Sequence, residues 1–212
     1  MKIRFLFPIL TAILVTGCGS LLTSKVPAPV YYQPEYQAAP VACKPSFNQG
    51  VRVWEFSAGS PYNHQEMVVL LPEGKVQFSS SYQWVATPGT MVAQQLARDL
   101  SAGDLFPMVV TGDNPLQVPL SLTGRVDLYA WKREGGQSRA VLKVEMSLVD
   151  TGAEQEVLFH RIYELQSKPF AKDDSAVFAR AMGELMGRLS TRFRTDLCRK
   201  AAEIEDRSGK TL

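Results

Sequence analysis

Two runs of strict alternation joined by a Gly-Gly turn constrain this chain more than any other feature. Leu120, Leu122, Val126, Leu128 and Ala130 share one parity, with Thr123, Arg125, Asp127 and Tyr129 on the other. After Glu134-Gly135-Gly136-Gln137, the residues Ala140, Leu142, Val144, Met146 and Leu148 alternate in the same way against Lys143, Glu145 and Ser147. Side chains of a strand point alternately to its two faces, so the pattern predicts a β-hairpin with one buried face. Asp150-Thr151-Gly152 turns the chain again into residues 156–166, extending the hairpin to a three-stranded antiparallel meander. Shorter strands are expected at 51–56, 67–71, 75–85 and 105–110, with Pro72-Glu73-Gly74 as a turn.

A sheet with one apolar face needs a cover, and two segments can supply it. Thr87-Pro88 pairs a hydroxyl cap with proline at the first helical position. Val92, Leu96 and Leu100, flanked by Ala93 and Ala97, then form one apolar stripe ending at Gly103. Past Pro169, Asp173 and Asp174 offer cap oxygens to a long last helix. Its apolar face reads Phe178, Met182, Leu185, Leu189, Phe193 and Leu197, and Glu184–Arg188 and Asp196–Lys200 are expected as i,i+4 ion pairs. No internal repeat is visible. The expected fold is α+β, a mainly antiparallel sheet covered by two helices.

The N-terminus carries a different signal. Lys2 and Arg4 precede an uncharged apolar run over residues 5–15. A run of about 11 residues suits a signal-peptide core and falls short of the roughly 20 needed to cross a bilayer. Val15-Thr16-Gly17-Cys18 follows and matches the bacterial lipobox. Small residues at 16 and 17 let an extended backbone enter a signal peptidase, and the Cys18 thiol is the nucleophile toward a diacylglyceryl donor. Cleavage is therefore expected between Gly17 and Cys18, with Cys18 carrying palmitate-type acyl chains. Several chains on one residue make a tether that is effectively permanent. Residue 19 is Gly rather than the Asp that retains lipoproteins at an inner membrane, which favours the periplasmic face of an outer membrane. Residues 18–46 hold Pro27, Pro29, Pro34, Pro40 and Pro45 with no helical or alternating pattern, and read as an extended spacer. The expected organisation is signal peptide 1–17, lipidated tether 18–46, folded domain 47–206 and tail 207–212.

With residues 1–17 removed, the 212-residue chain leaves 195 residues carrying 21 Lys+Arg against 21 Asp+Glu. The whole chain's excess of positive charge therefore belongs to the signal peptide. No basic patch for nucleic acid remains. Beyond Cys18 there are two cysteines, Cys43 and Cys198, in a compartment that favours oxidation. The even remainder points to a disulfide joining the start of the domain to its last helix, the alternative being two separate thiols.

Residues for catalysis are hard to find. The two histidines, His64 and His160, have no second His or Cys at metal-ligand spacing, and Cys43 and Cys198 form no C-x-x-C. Neither a nucleophile elbow nor a P-loop nor G-x-G-x-x-G occurs. The serines at 79–81 lie in an expected strand, and Asp99, Asp104, Asp173 and Asp174 sit at helix ends. The expectation is a protein that is not an enzyme and holds no metal or cofactor beyond its covalent lipid.

The order of these elements resembles a known family. Gly50-Val51-Arg52-Val53 with Phe56 opens the domain, and Tyr82-Gln83-Trp84 closes a strand. Thr87-Pro88-Gly89-Thr90-Met91-Val92 begins the helix, Leu122-Thr123-Gly124-Arg125-Val126 starts the hairpin, and Phe178, Ala179, Ala181 and Met182 mark the last helix. Over residues 48–200 the chain resembles the ABC-type transport auxiliary lipoproteins, the PqiC-like lipoproteins. That resemblance implies a fold similar to the N-terminal domain of TolB and a non-catalytic role beside an ABC permease, its ATPase and an MCE-domain protein that moves lipids between membranes. Homo-oligomerisation would fit such a docking piece, although no residue singles it out. A second reading is a cell-wall regulatory or structural lipoprotein, similar to the activators of peptidoglycan synthases. A third is a lipid carrier with an apolar cavity of its own.

Overall fold

A computed structural model describes residues 27–44, 46–152, 155–170 and 174–209. The expected signal peptide, Gly17, Cys18, Pro45 and Asp173 lie outside these residues. The described chain contains nine strands: β1 (Val30–Tyr32), β2 (Val51–Val53), β3 (Ser57–Ala58), β4 (Glu66–Leu70), β5 (Val76–Trp84), β6 (Val109–Thr111), β7 (Leu120–Glu134), β8 (Gln137–Asp150) and β9 (Val157–Gln166). Two α-helices accompany them, α1 (Pro88–Ser101) and α2 (Ser175–Gly209), and a short 3-10 turn spans Pro72–Gly74.

β7 organises the sheet. Along its whole length it pairs antiparallel with β8, which pairs antiparallel with β9, so the expected meander is present. A register shift between Val126 and Leu128 reverses the expected alternation there, burying Tyr129 and leaving Leu128 half-buried. Gly135 and Gly136 both take positive φ at its turn, which side chains would resist. The other side of β7 is shared end to end by three short parallel partners. β2 lies against Leu120–Leu122, β3 against Arg125–Val126 and β4 against Ala130–Lys132. β6 extends the sheet beyond β2, while β5 and then β1 extend it beyond β4.

The sheet is therefore mixed, and the expectation of a mainly antiparallel one is corrected. Among the described residues, five strand pairings are parallel (β1–β5, β2–β6, β2–β7, β3–β7, β4–β7) and three are antiparallel. Hairpin signals reveal only neighbours in sequence. The parallel partners are two to five residues long where they join β7 or β6, too short to display a period, and they reach their places through long connections.

Both helices cover the sheet with the faces their spacing predicts. Val92, Leu96 and Leu100 of α1 are buried, as are Phe178, Met182, Leu185, Leu189, Phe193 and Leu197 of α2. Thr87 caps α1 by accepting from the Thr90 amide, and Asp174 caps α2 by accepting from Ala176 N at 2.8 Å. Gly89 lies so close to the Phe56 carbonyl that a Cβ would stand 2.0 Å from it, which seats the start of α1 on the β2–β3 link. At the centre, Trp84 meets Tyr129 edge-on at 5.3 Å and Phe178 at 5.4 Å, while Phe178 stacks on Trp131 at 5.1 Å.

Four local expectations change. The strand expected at 51–56 ends at Val53, and pairing resumes only at Ser57 in β3. The strand expected at 105–110 begins only at Val109, because Leu105 and Phe106 turn inward from a loop and Phe106 stacks on Phe47 at 4.7 Å. Asp196 does not pair with Lys200 but with Arg161 of β9 at 2.5 Å and Arg199 at 2.7 Å, and it accepts from the Tyr163 hydroxyl. Arg188 donates to the Gln166 carbonyl at 2.9 Å rather than serving Glu184. For Asp196 and Arg188 alike, a group on β9 takes the place of the expected i,i+4 partner.

Candidate functional site

The expected spacer does not stay off the domain. Residues 30–43, within the expected spacer, form a strap across both helices. β1 adds to the end of β5 in parallel, with Val30, Tyr31 and Tyr32 opposite Tyr82, Gln83 and Trp84. Pro34 then gives its carbonyl to Gln95 Nε2 of α1 at 2.8 Å. Ala39 gives its carbonyl to Arg194 Nη2 of α2 at 2.6 Å. Cys43 closes the strap on Cys198 of α2 through a disulfide with Cα atoms 5.5 Å apart.

Between these points the strap inserts one side chain. The Tyr36 hydroxyl donates to Asp99, a carboxylate only 2% exposed. Ser190 donates to the same carboxylate at 2.5 Å, and Arg98 approaches it at 3.4 Å. Arg98 also lies over the Tyr36 ring, 5.3 Å from its centroid. A buried carboxylate is tolerated only when donors and a countercharge meet it, and here the strap brings one of the donors. Burial pushes the Tyr36 hydroxyl well above its ordinary value, and the bond to Asp99 and the charge of that carboxylate push it the same way. The void beside Asp99 measures about 10 Å³, no more than one water's space. This tyrosine–aspartate–serine cluster is a latch with no room for a substrate.

Two glycines of α2 make the groove for the strap. A Cβ on Gly183 would stand 2.2 Å from the Glu35 carbonyl oxygen, and one on Gly187 would stand 3.0 Å from the Tyr36 ring. They are four residues apart and so share one helix face. Neither signal is visible in hydropathy, because the strap docks largely through backbone carbonyls. The Gly183-x-x-x-Gly187 spacing beside an apolar stripe was the one available clue.

Two open clefts flank this core. One, about 650 Å³, runs beside the strap and is lined by Tyr36, Ala39, Gly187, Arg180, Arg188 and Arg192. The other, about 620 Å³, lies at the opposite edge of the sheet against Trp54, Glu55, Thr90, Gln94 and Asp113. There Arg52 donates to the carbonyls of Thr111, Gly112, Asn114 and Leu116 and fixes the loop after β6, and Trp54 donates to Ser121 Oγ at 2.6 Å.

Of the residues singled out from sequence, Cys43 and Cys198 are brought together. His160 lies on the surface with Nδ1 2.9 Å from Ser147 Oγ and Nε2 3.7 Å from Glu145, and His64 is exposed. Among the described residues, no three His, Cys, Asp or Glu side chains form a group that could hold a metal ion, and no helix is long and apolar enough to cross a membrane.

No curated protein matches the chain in sequence. A crystal structure of a Xanthomonas campestris protein superposes with a TM-score of 0.73 at 16% identity, covering 84% of this chain and 99% of its own. An uncharacterized protein follows at 0.58 and 17% identity, covering 82% and 99%. A hypothetical protein of Chlamydia trachomatis gives 0.51 at 10% identity, covering 73% and 98%. At these identities the likeness is one of fold. The sequence model for the ABC-type transport auxiliary lipoprotein component matches residues 37–193, a span running from the middle of the strap well into α2. On that match the chain belongs to the family of ABC-type transport auxiliary lipoprotein components.

Proposed function

We propose that the mature protein begins at Cys18, is held to a bilayer by acyl chains on that residue, and serves as a non-catalytic docking subunit for an ABC transport system. In this reading it sits on the periplasmic face of the outer membrane. Its partners are an ABC permease and ATPase with an MCE-domain protein that passes lipids between the two membranes. The carrying observation is the lipobox at Val15-Thr16-Gly17-Cys18, close in sequence to a strap stapled to both helices of an auxiliary-lipoprotein domain.

The physical logic is mechanical. A partner spanning the periplasm needs a fixed point, and confinement to a membrane raises the local concentration of a docking domain without any new contact. Any load on the anchor passes through the strap into α1 and α2 rather than into a frayed terminus. ATP hydrolysis belongs to the partner ATPase. Only residues 19–29 separate Cys18 from β1, a reach of about 40 Å at full extension.

Cross-linking in intact envelopes followed by purification of the lipoprotein tests the proposal. ABC permease, ATPase and MCE subunits should be recovered with wild-type protein and lost with Cys18→Ala. Recovery of none of them from a protein that is membrane-bound would refute the docking role.

A further inference from the structure

The edge formed by β1 and β5 carries an unusual share of the molecule's exposed apolar surface. Among the described residues eleven large apolar side chains are exposed, and six belong to this edge: Val30, Tyr31, Val76, Phe78, Tyr82 and Val85, each between 39% and 54% exposed. Residues 26–34 and 76–97 contain no charged side chain at all. An apolar edge of this kind, bordered by Glu66 beside Gln83 and by the Glu73–Lys75 pair ahead of Val76, marks a surface that meets something.

We propose that this edge rests on the bilayer surface, its aromatic and aliphatic side chains lodged among lipid headgroups and upper acyl chains. The proposal rests on the anchor at Cys18 and adds an orientation to it. The length and end point of the linker argue for lipid as the occupant. Residues 19–29 reach at most about 40 Å, and the linker ends at Val30, which pairs with Tyr82. The anchor thus delivers this edge, before any other part of the domain, to the membrane.

The backbone argues against a second copy adding as a strand. β1 covers β5 only along Tyr82–Trp84, leaving the outer side of the earlier part of β5 open. There, however, the register with β4 slips between Glu66 and Val68, and the Tyr82 amide donates to Ser79 Oγ at 3.0 Å. Such an irregularity spoils an edge as a template for another strand. Contact with lipid stays shallow for the same reason. Unpaired amides and the hydroxyls of Ser79, Ser80 and Ser81 cannot enter hydrocarbon, but they suit the headgroup layer, where tyrosines also settle. The Trp54 cleft, at the far edge of the sheet beside β6, then faces away from the membrane.

The test uses the full lipidated protein in vesicles of phosphatidylethanolamine and phosphatidylglycerol, with a nitroxide on Ser80→Cys and, as a control, on Gln117→Cys beyond β6. Flotation with the vesicles reads the anchor, and the relative accessibility of each label to oxygen and to a water-soluble nickel complex reads depth. Ser80 should be severalfold more shielded from nickel than Gln117. Adding Val30→Ser, Phe78→Ser and Tyr82→Ser should abolish the difference with the melting temperature unchanged. Protein that fails to float overturns anchor and orientation together. Protein that floats with both labels equally exposed to nickel overturns the orientation alone. Dipolar broadening between Ser80 labels on neighbouring chains overturns it in favour of self-association.

Discussion

Replacing Gly183 by alanine should loosen the strap, and the cost can be worked from the geometry. The new Cβ would stand 2.2 Å from the Glu35 carbonyl oxygen and 3.0 Å from both the Glu35 carbonyl carbon and its amide nitrogen. Ordinary contact starts near 3.4 Å, so the strap must retreat by more than an ångström, and it is backbone that has to move. On either side of Glu35 lie the Gln95–Pro34 bond and the Tyr36–Asp99 bond, which the retreat weakens. Because backbone has to move, overpacking here falls in the upper part of its usual range, about 2–3 kcal/mol, and alanine returns about 1 kcal/mol of helix propensity. The net loss is about 1–2 kcal/mol, or roughly 2–8 °C in melting temperature for a domain of this size. Calorimetry gives the midpoint, and hydrogen exchange on residues 30–40 shows whether the strap opens. Gly187→Ala, which meets a ring rather than backbone, should cost less, and Gly59→Ala, with nothing within 4 Å, should be neutral. An unchanged or raised midpoint for Gly183→Ala, with strap amides exchanging as slowly as in wild type, would refute the seating of the strap.

Cys198→Ser removes a cross-link between residues 155 apart in sequence, worth roughly 5 kcal/mol on the chain-entropy account and often less in practice. Denaturant unfolding should show a clear fall in midpoint, matched by reductant acting on wild type. Alkali should unfold the protein by linkage. Burial raises the hydroxyls of Tyr36, Tyr129 and Tyr163 above their ordinary value near 10. Their stabilising contribution is therefore complete below pH 10 and falls above it as the unfolded tyrosines ionise, Tyr129 alone giving up to about 1.4 kcal/mol per pH unit. A flat stability profile from pH 9 to 11 would contradict this. Arg52→Ala frees four carbonyls around the loop after β6 and should speed amide exchange over residues 111–117 while lowering stability by about 1 kcal/mol.

What the sequence revealed follows from which interactions leave a period. The β7–β8–β9 meander and the buried faces of α1 and α2 are long enough to show theirs, and Thr87 and Asp174 announce their helices by local chemistry. The Cys43–Cys198 pairing needed only compartment and parity. The strap left no such trace, since Pro34, Glu35 and Ala39 dock through carbonyls that every residue possesses. Tyr36 and Asp99 meet across 63 residues, a distance in sequence that no local pattern records. The parallel pairings of β2, β3 and β4 with β7 were hidden for a related reason, because strands of two to five residues borrow their stability from a long neighbour instead of carrying a signature.

The mass of the N-terminal tryptic peptide of protein purified from envelopes reaches the account's foundation most directly. Residues 18–25 should form that peptide, heavier than the bare sequence by a thioether-linked diacylglyceryl group and an amide-linked acyl chain on Cys18. A mature chain that starts elsewhere, or a residue-18 thiol found unmodified, would contradict it.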